Sequence, residues 1–400
     1  MPAYPFLRTL LFAAAILLAS PPARADSAAS PSRDEYDGRG TDERRELWVI
    51  RVPLYPAYAA SDYLVRRPLR AVVRAYESQR DEIEEDGPSV APSFRYENQF
   101  RPWFGVFIGY DRLFARRHDM RMHAAFGGID ALTEAVESRL RTRAGLLSLT
   151  EAWTRRGDNV FYGIGPQTGK SARVRYGAQQ IEGHLRYERA LARFVVFEAR
   201  VGARRLDFDR STCCGSDPDL RARARDGALT APVGFANGYT AVTDRVAVVL
   251  DTRPETAAKR RIQPVSFSGV RLALDGEAAY DLAATEAHAW TRFGAEAGAF
   301  LDLGRRRIIS LSVTSRFSEP LSGSVPFTEL ASLGGEHPMR ALRAGRLLGR
   351  SAASATLAYD WPIWVFLGAG VETSVGNVFG SALRGFEPKL LRAASAVRIY

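Results

Sequence analysis

From about residue 103 onward the chain alternates between apolar and polar positions. Val195, Phe197, Ala199, Val201 and Ala203 share one parity, and Glu198, Arg200, Gly202 and Arg204 share the other. Phe293, Ala295, Ala297, Ala299 and Leu301 oppose Arg292, Glu296 and Asp302. Ile309, Leu311, Val313 and Phe317 oppose Ser310, Ser312, Thr314 and Arg316. The same holds for Leu357, Tyr359 and Trp361 against Thr356, Ala358 and Asp360, and for Leu367, Ala369, Val371 and Val375 against Gly368, Gly370, Glu372 and Ser374. A period of two is that of a β-strand, whose successive side chains leave opposite faces. Alternation also fits a soluble sandwich with one wet face. Three features select a membrane barrel instead. The runs reach about ten residues, against about 5–6 in soluble sheets. The polar parity is charged yet studded with glycine and small residues, as a crowded wet lumen requires. The third is an export signal. The pattern predicts an all-β, transmembrane, antiparallel up-and-down barrel, apolar parity toward lipid and polar parity toward the lumen.

The N-terminal quarter reads differently. Arg8 precedes an uncharged apolar run at 10–19, and Ala23, Arg24 and Ala25 form an A-x-A cleavage signal. This is the layout of a secretory signal peptide at 1–25. Its apolar run falls short of the about 20 residues a membrane helix needs. Residues 26–92 read as a periplasmic leader, polar at first. Val65, Leu69, Val72 and Tyr76 then recur at helical spacing beside Arg66, Arg67, Arg70 and Arg74, a basic amphipathic helix that suits a membrane surface or the barrel mouth. The barrel is assigned to 93–400.

Charge adds little to this picture. The 400 residues carry a formal charge of +10, and only Lys170, Lys259 and Lys389 among the 55 basic residues are lysines. The arginines are scattered, no nucleic-acid motif accompanies them, and an exported chain meets anionic lipid headgroups rather than nucleic acid. Outer-membrane lipids are therefore the expected partners, and the bacterial outer membrane the expected location. The two cysteines, Cys213 and Cys214, are adjacent and cannot staple distant segments. They read as a local vicinal pair or as two free thiols in a loop. No Cys/His cluster has zinc spacing, so no metal or cofactor is expected.

Four stretches resemble the BamA/TamA family of outer-membrane assembly barrels. Phe161, Tyr162, Gly163, Ile164, Gly165 and Pro166 resemble its early f-y-G-i-G loop. Asp251, Thr252 and Arg253 resemble a D-T-R that ends a mid-barrel strand. Gly334, Gly335, Met339, Arg340, Ala341 and Leu342 resemble the G-G…v-R-G-f loop that folds into the lumen. Gly376, Asn377, Val378 and Phe379 resemble the D-a-G-n-v strand that follows. The resemblance implies a barrel over residues 103–400. It also implies that Arg340 meets acids on the inner wall, and Asp360 and Glu372 are the candidates because both lie on polar parity. The chain departs from the family at Ala341, where a glycine is usual, at Ser374, where an acid is usual, and at Ala358, Tyr359 and Asp360, where E-y-R is usual. Residues 26–92 show one strand-like run and one helix, with no strand pair to complete a POTRA domain.

The family has sixteen strands, three of them after the D-a-G-n-v strand. Here there is room for one, at 390–400, so about fourteen are expected. Either the last two strands are lacking, or a smaller barrel closes between 390–400 and a first strand near Trp103. None of His118, His123, His184, His288 and His337 has a serine and a carboxylate at motif spacing, so no enzyme is expected. The resemblance implies that the barrel helps to insert or translocate proteins or lipids, with client outer-membrane proteins or a separate periplasmic partner. The alternatives are a channel, or an export barrel for a separately encoded partner.

Overall fold

The computed structural model of the chain describes residues 89–95, 100–213, 217–253, 268–283, 287–303, 307–335, 338–362 and 368–399. The stretch expected to be a signal peptide, most of the expected leader with its helix, and the positions His337 and Leu367 lie outside the described residues.

Fourteen strands form one antiparallel sheet in which strands pair in chain order. They are β1 (Ser89–Arg95), β2 (Trp103–Asp111), β3 (His118–Gly128), β4 (Ala131–Arg141), β5 (Leu146–Phe161), β6 (Val174–Ala192), β7 (Val195–Asp209), β8 (Tyr239–Asp251), β9 (Gly269–Asp281), β10 (Ala287–Asp302), β11 (Ile308–Gly323), β14 (Ser351–Pro362), β15 (Gly368–Phe379) and β16 (Arg392–Ile399). A short hairpin of β12 (Ala331–Leu333) and β13 (Leu347–Gly349) lies in the connection between β11 and β14, so that β14 follows β11 in the sheet. Among the described residues β1 pairs with β2 and β16 with β15. The leader boundary drawn after Pro92 moves: β1 begins at Ser89 and runs through Pro92, so the first strand precedes Trp103. Proline and polar Ser89 and Ser93 hide this strand from a periodicity count, and proline is tolerated in a strand at a sheet edge.

Up-and-down order puts four long connections at one end of the sheet, while the 252–268 connection leaves the other. The loops 162–173, 210–238, 324–350 and 380–391 leave one end of the sheet, and tight turns such as 142–145 and 193–194 leave the other. Outer-membrane barrels place short turns in the periplasm and long loops outside.

Register fixes the two faces. Arg204 pairs with Ala241, Arg245 with Glu277, and Glu277 with Arg292, so the charged parities of β7 to β10 coincide on one face. The other face carries Val201, Val246, Leu272, Leu274, Phe293, Leu311 and Val371, all large and exposed. An apolar band of this kind is stable against lipid and would be an aggregation site in water.

The alternation changes character at the loop end. There the inward parity turns apolar: Leu206, Phe208, Tyr239, Ala241, Ala279 and Trp290 are buried with Val325, Phe327 and Leu348 from 324–350 and with Leu220 and Phe235 from 210–238. Phe327 stands at the centre, 5.5 Å from Phe161, 5.4 Å from Tyr176 and 5.3 Å from Phe208, centroid to centroid. Loops cover this mouth, so water no longer dictates polar side chains and a dry core forms inside the sheet.

Loop 210–238 is tied down by charge. Asp217 accepts from Arg173 and Arg175 at 2.5 and 2.6 Å. Burial would raise this carboxyl, but hydrogen bonds from Arg175 and Arg173 outweigh it and hold the group below the ordinary aspartate value. Cys213 is disulfide-bonded, which removes the alternative of two free thiols.

Candidate functional site

The 324–350 connection turns inward instead of standing out from the sheet. Its root is held by Glu329, whose side chain is 4% exposed. Glu329 accepts from Arg204 of β7 at 2.7 Å, from Arg292 of β10 at 2.9 Å, and from the Tyr239 hydroxyl of β8. Ser318 of β11 donates to the Glu329 carbonyl at 2.9 Å. Three strands on the wall therefore converge on one carboxylate of the loop.

Backbone bonds join the two arms of the tip. Gly334 N donates to Pro338 O and Gly335 N to Leu342 O, and both glycines have positive φ, of 115° and 92°. A side chain at Gly334 would also strike the Arg343 carbonyl, so glycine is required there. Met339 is buried with Ala331, Leu333, Leu347, Ala352 and Val378, and Leu342 packs against this cluster. Ala341 is exposed.

Arg340 Nε lies 3.7 Å from Glu372 Oε2 on β15, with 40% of the Arg340 side chain exposed. Glu372 also faces Arg398 Nη1 of β16 at 3.4 Å, and Arg398 Nη2 lies 2.5 Å from Asp360 on β14. The two candidate acids are thus joined through Arg398, and Glu372 is the one beside Arg340.

The other motif stretches divide. Loop 162–173 reaches the same region: Gly165 N donates to Leu348 O at 2.7 Å, and Arg346 donates to Thr168 O while lying over the Tyr162 ring. The loop also crosses toward the far strands of the sheet. Asn377 Nδ2 of β15 and Arg392 of β16 both donate to Pro166 O, at 3.2 and 2.8 Å. Gly376 supplies close strand approach, since a Cβ there would lie 2.6 Å from the Ala353 carbonyl. Asp251, Thr252 and Arg253 sit at the opposite end, where Asp251 grips Arg253 and Thr252 bonds the Val270 backbone at the start of β9. They hold the end of β8 against the start of β9 and touch none of the loop residues named above.

No protein-family model matches the sequence, and no curated protein matches it. Among solved structures, BamA from Haemophilus ducreyi lacking POTRA domains 1-3 superposes with a TM-score of 0.51 at 11% identity, over 79% of this chain and 64% of that one. The barrel shares its fold with BamA. This chain spans less than two thirds of that relative. CdiB from Acinetobacter baumannii gives 0.47 at 11% identity over 78% and 52% of the two chains. OmpT of Vibrio cholerae gives 0.34 at 7% over 72% and 84%. The shared fold rests on the first of the three.

The residues that periodicity and motif did not single out are Glu329, Tyr239, Glu277 and Arg346, while Arg398 falls on the polar parity of the last strand. A signal for Glu329 was present: it is the sole charge in the run Val325, Pro326, Phe327, Thr328, Glu329, Leu330, Ala331. A charge inside an apolar run is kept when it meets a buried partner. The chemistry of this region is ionic and steric. Among the described residues no group of three His, Cys, Asp or Glu side chains is placed to hold a metal.

Proposed function

We propose that this barrel works at the bacterial outer membrane as an assembly or translocation device that helps proteins or lipids enter or cross the bilayer. The observation that carries this reading is the inward loop, docked on the wall and flanked by Arg340 and Glu372, in a barrel with the BamA fold. A loop in that position occupies the lumen and opposes a wide passive pore. Strand length adds support. β2 has nine residues and β6 has nineteen. At about 3.4 Å per residue and a tilt of about 40°, these rise about 23 and about 49 Å, against an apolar band about 25 Å tall. The bilayer beside β1, β2 and β16, of seven, nine and eight residues, meets the shortest wall and thins there most easily.

In this reading the work is mechanical and uses no bond chemistry or cofactor. Its partners are outer-membrane lipids and unfolded client barrels, delivered by a separate periplasmic component. The test is reconstitution: the refolding rate of a small client barrel into liposomes holding this protein, read beside ion conductance of the same liposomes. Faster client folding at low conductance supports the proposal. Steady high conductance with no gain in client folding replaces it with the channel reading.

A further inference from the structure

The inner wall of β6 to β10 carries an unusual row. Arg186 pairs with Arg200, Arg200 with Arg245, Arg245 with Glu277, and Glu277 with Arg292. Three arginines stand side by side on adjacent strands. Like charges directly opposite each other destabilise a sheet, so this row needs anions brought from elsewhere. Glu198 and Asp275 approach from the wall itself: Glu198 faces Arg186 and Arg245, and Asp275 faces Arg245 and Arg316. Glu277 holds Arg200, Arg204 and Arg292 at 3.2, 2.8 and 2.6 Å. The fourth carboxylate, Glu329, comes from the inserted loop. With Glu137 of β4 as a fifth carboxylate, which faces both Arg186 and Arg139, seven arginines of this network face five carboxylates, leaving two positive charges in surplus, and three once Glu329 withdraws. Beside the loop root lies a cavity of about 380 Å³ lined by Arg200, Arg245, Arg292 and Arg316 together with Asp275, Glu277 and Glu329, so its lining is positive by one charge and by two without Glu329.

We propose that this arginine wall is an oxyanion-binding surface of the lumen, and that Glu329 is its resident occupant and thereby the residue that holds the loop shut. Guanidinium groups present fixed donor forks matched to carboxylate and phosphate oxygens. The loop carboxylate fills that role in the closed barrel. An external oxyanion competes with it, and the opened lumen prefers anions because the surplus charge is positive. This inference needs only the barrel and its loop, and client folding plays no part in it, so its failure and that of the assembly reading are separable.

The test uses the full chain in planar bilayers under a KCl gradient. Glu329→Gln keeps the side-chain shape and removes the charge. It is expected to raise the open fraction by about tenfold or more, as when one charge-assisted hydrogen bond is lost. Its reversal potential moves toward chloride, and tripolyphosphate blocks the opened current where spermine at the same concentration does not. A Glu329→Gln barrel as closed as the wild type, or one that opens with cation preference and spermine block, overturns the proposal. Should Glu329→Gln fail to insert, Tyr239→Phe reads the same gate, because it removes the hydroxyl that donates to the Glu329 carboxylate and keeps the ring. More frequent openings blocked by tripolyphosphate then support the proposal, and openings at the wild-type frequency refute it.

Discussion

Glu277 is the residue on which the wall's electrostatics turn, and its removal has a calculable cost. Its side chain is 3% exposed and accepts from Arg200, Arg204 and Arg292. Glu277→Ala leaves Arg200 next to Arg186 and Arg245 in the same row, while Arg204 and Arg292 keep only Glu329. Breaking a buried pair by deleting one partner costs about 3–5 kcal/mol. The three arginine side chains are 12–32% exposed, so water in the lumen screens part of the repulsion and the low end applies, about 3 kcal/mol. The exposed Lys389–Glu387 pair gives a reference, since Glu387→Ala should cost no more than about 1 kcal/mol. Urea titration of the barrel in vesicles, followed by tryptophan fluorescence, measures both as midpoint shifts at constant slope. A loss below about 1 kcal/mol for Glu277→Ala, or one equal to that of Glu387→Ala, would refute the claim that this wall is a tightly coupled charge network.

Two further outcomes follow from the loops. Arg340→Ala should cost at most about 1 kcal/mol in the same titration, because the pair with Glu372 is 3.7 Å long, the Arg340 side chain is 40% exposed, and buried Glu372 keeps Arg398; a larger loss would mean that the loop tip, not its root, is the main anchor. Asp217 has a folded-state pKa below its unfolded value, so its contribution is full above the ordinary aspartate range and disappears as pH falls through the lowered folded value. Thermal melts should therefore separate wild type from Asp217→Asn at pH 7 and bring them together in strong acid, and a gap that stays constant with pH would contradict the assignment.

The wall was legible in the sequence because a strand's parity is local information. Arg200, Arg292, Glu296 and Arg316 fall on the inward face of their strands, as alternation alone places them, and Val201, Phe293, Leu311 and Val371 fall outside. Pairing was not legible, because it depends on register across strands. Nothing local says that Arg200 and Arg245 stand side by side, or that Glu277 serves three arginines. Loops were the least legible part. Glu329 lies outside any alternating run, and its partners come from strands up to 125 residues away in the chain. Pro92 concealed β1, and the dry cluster around Phe327 reverses the polar-inward pattern at the loop end for a reason visible only once the loops are in place.

The central claim is that one face of this sheet meets lipid and the other lines a water-accessible lumen. Single cysteines placed in a Cys213→Ser, Cys214→Ser background test it directly. The outward positions are Val246, Leu272 and Leu311, and the inward positions Ala273, Ser310 and Ser312. With the barrel in liposomes, a lipid-soluble maleimide should label the outward set and a charged, water-soluble one the inward set. Labelling of Val246→Cys and Leu311→Cys by the charged reagent, at rates equal to those of the inward set, would contradict the account.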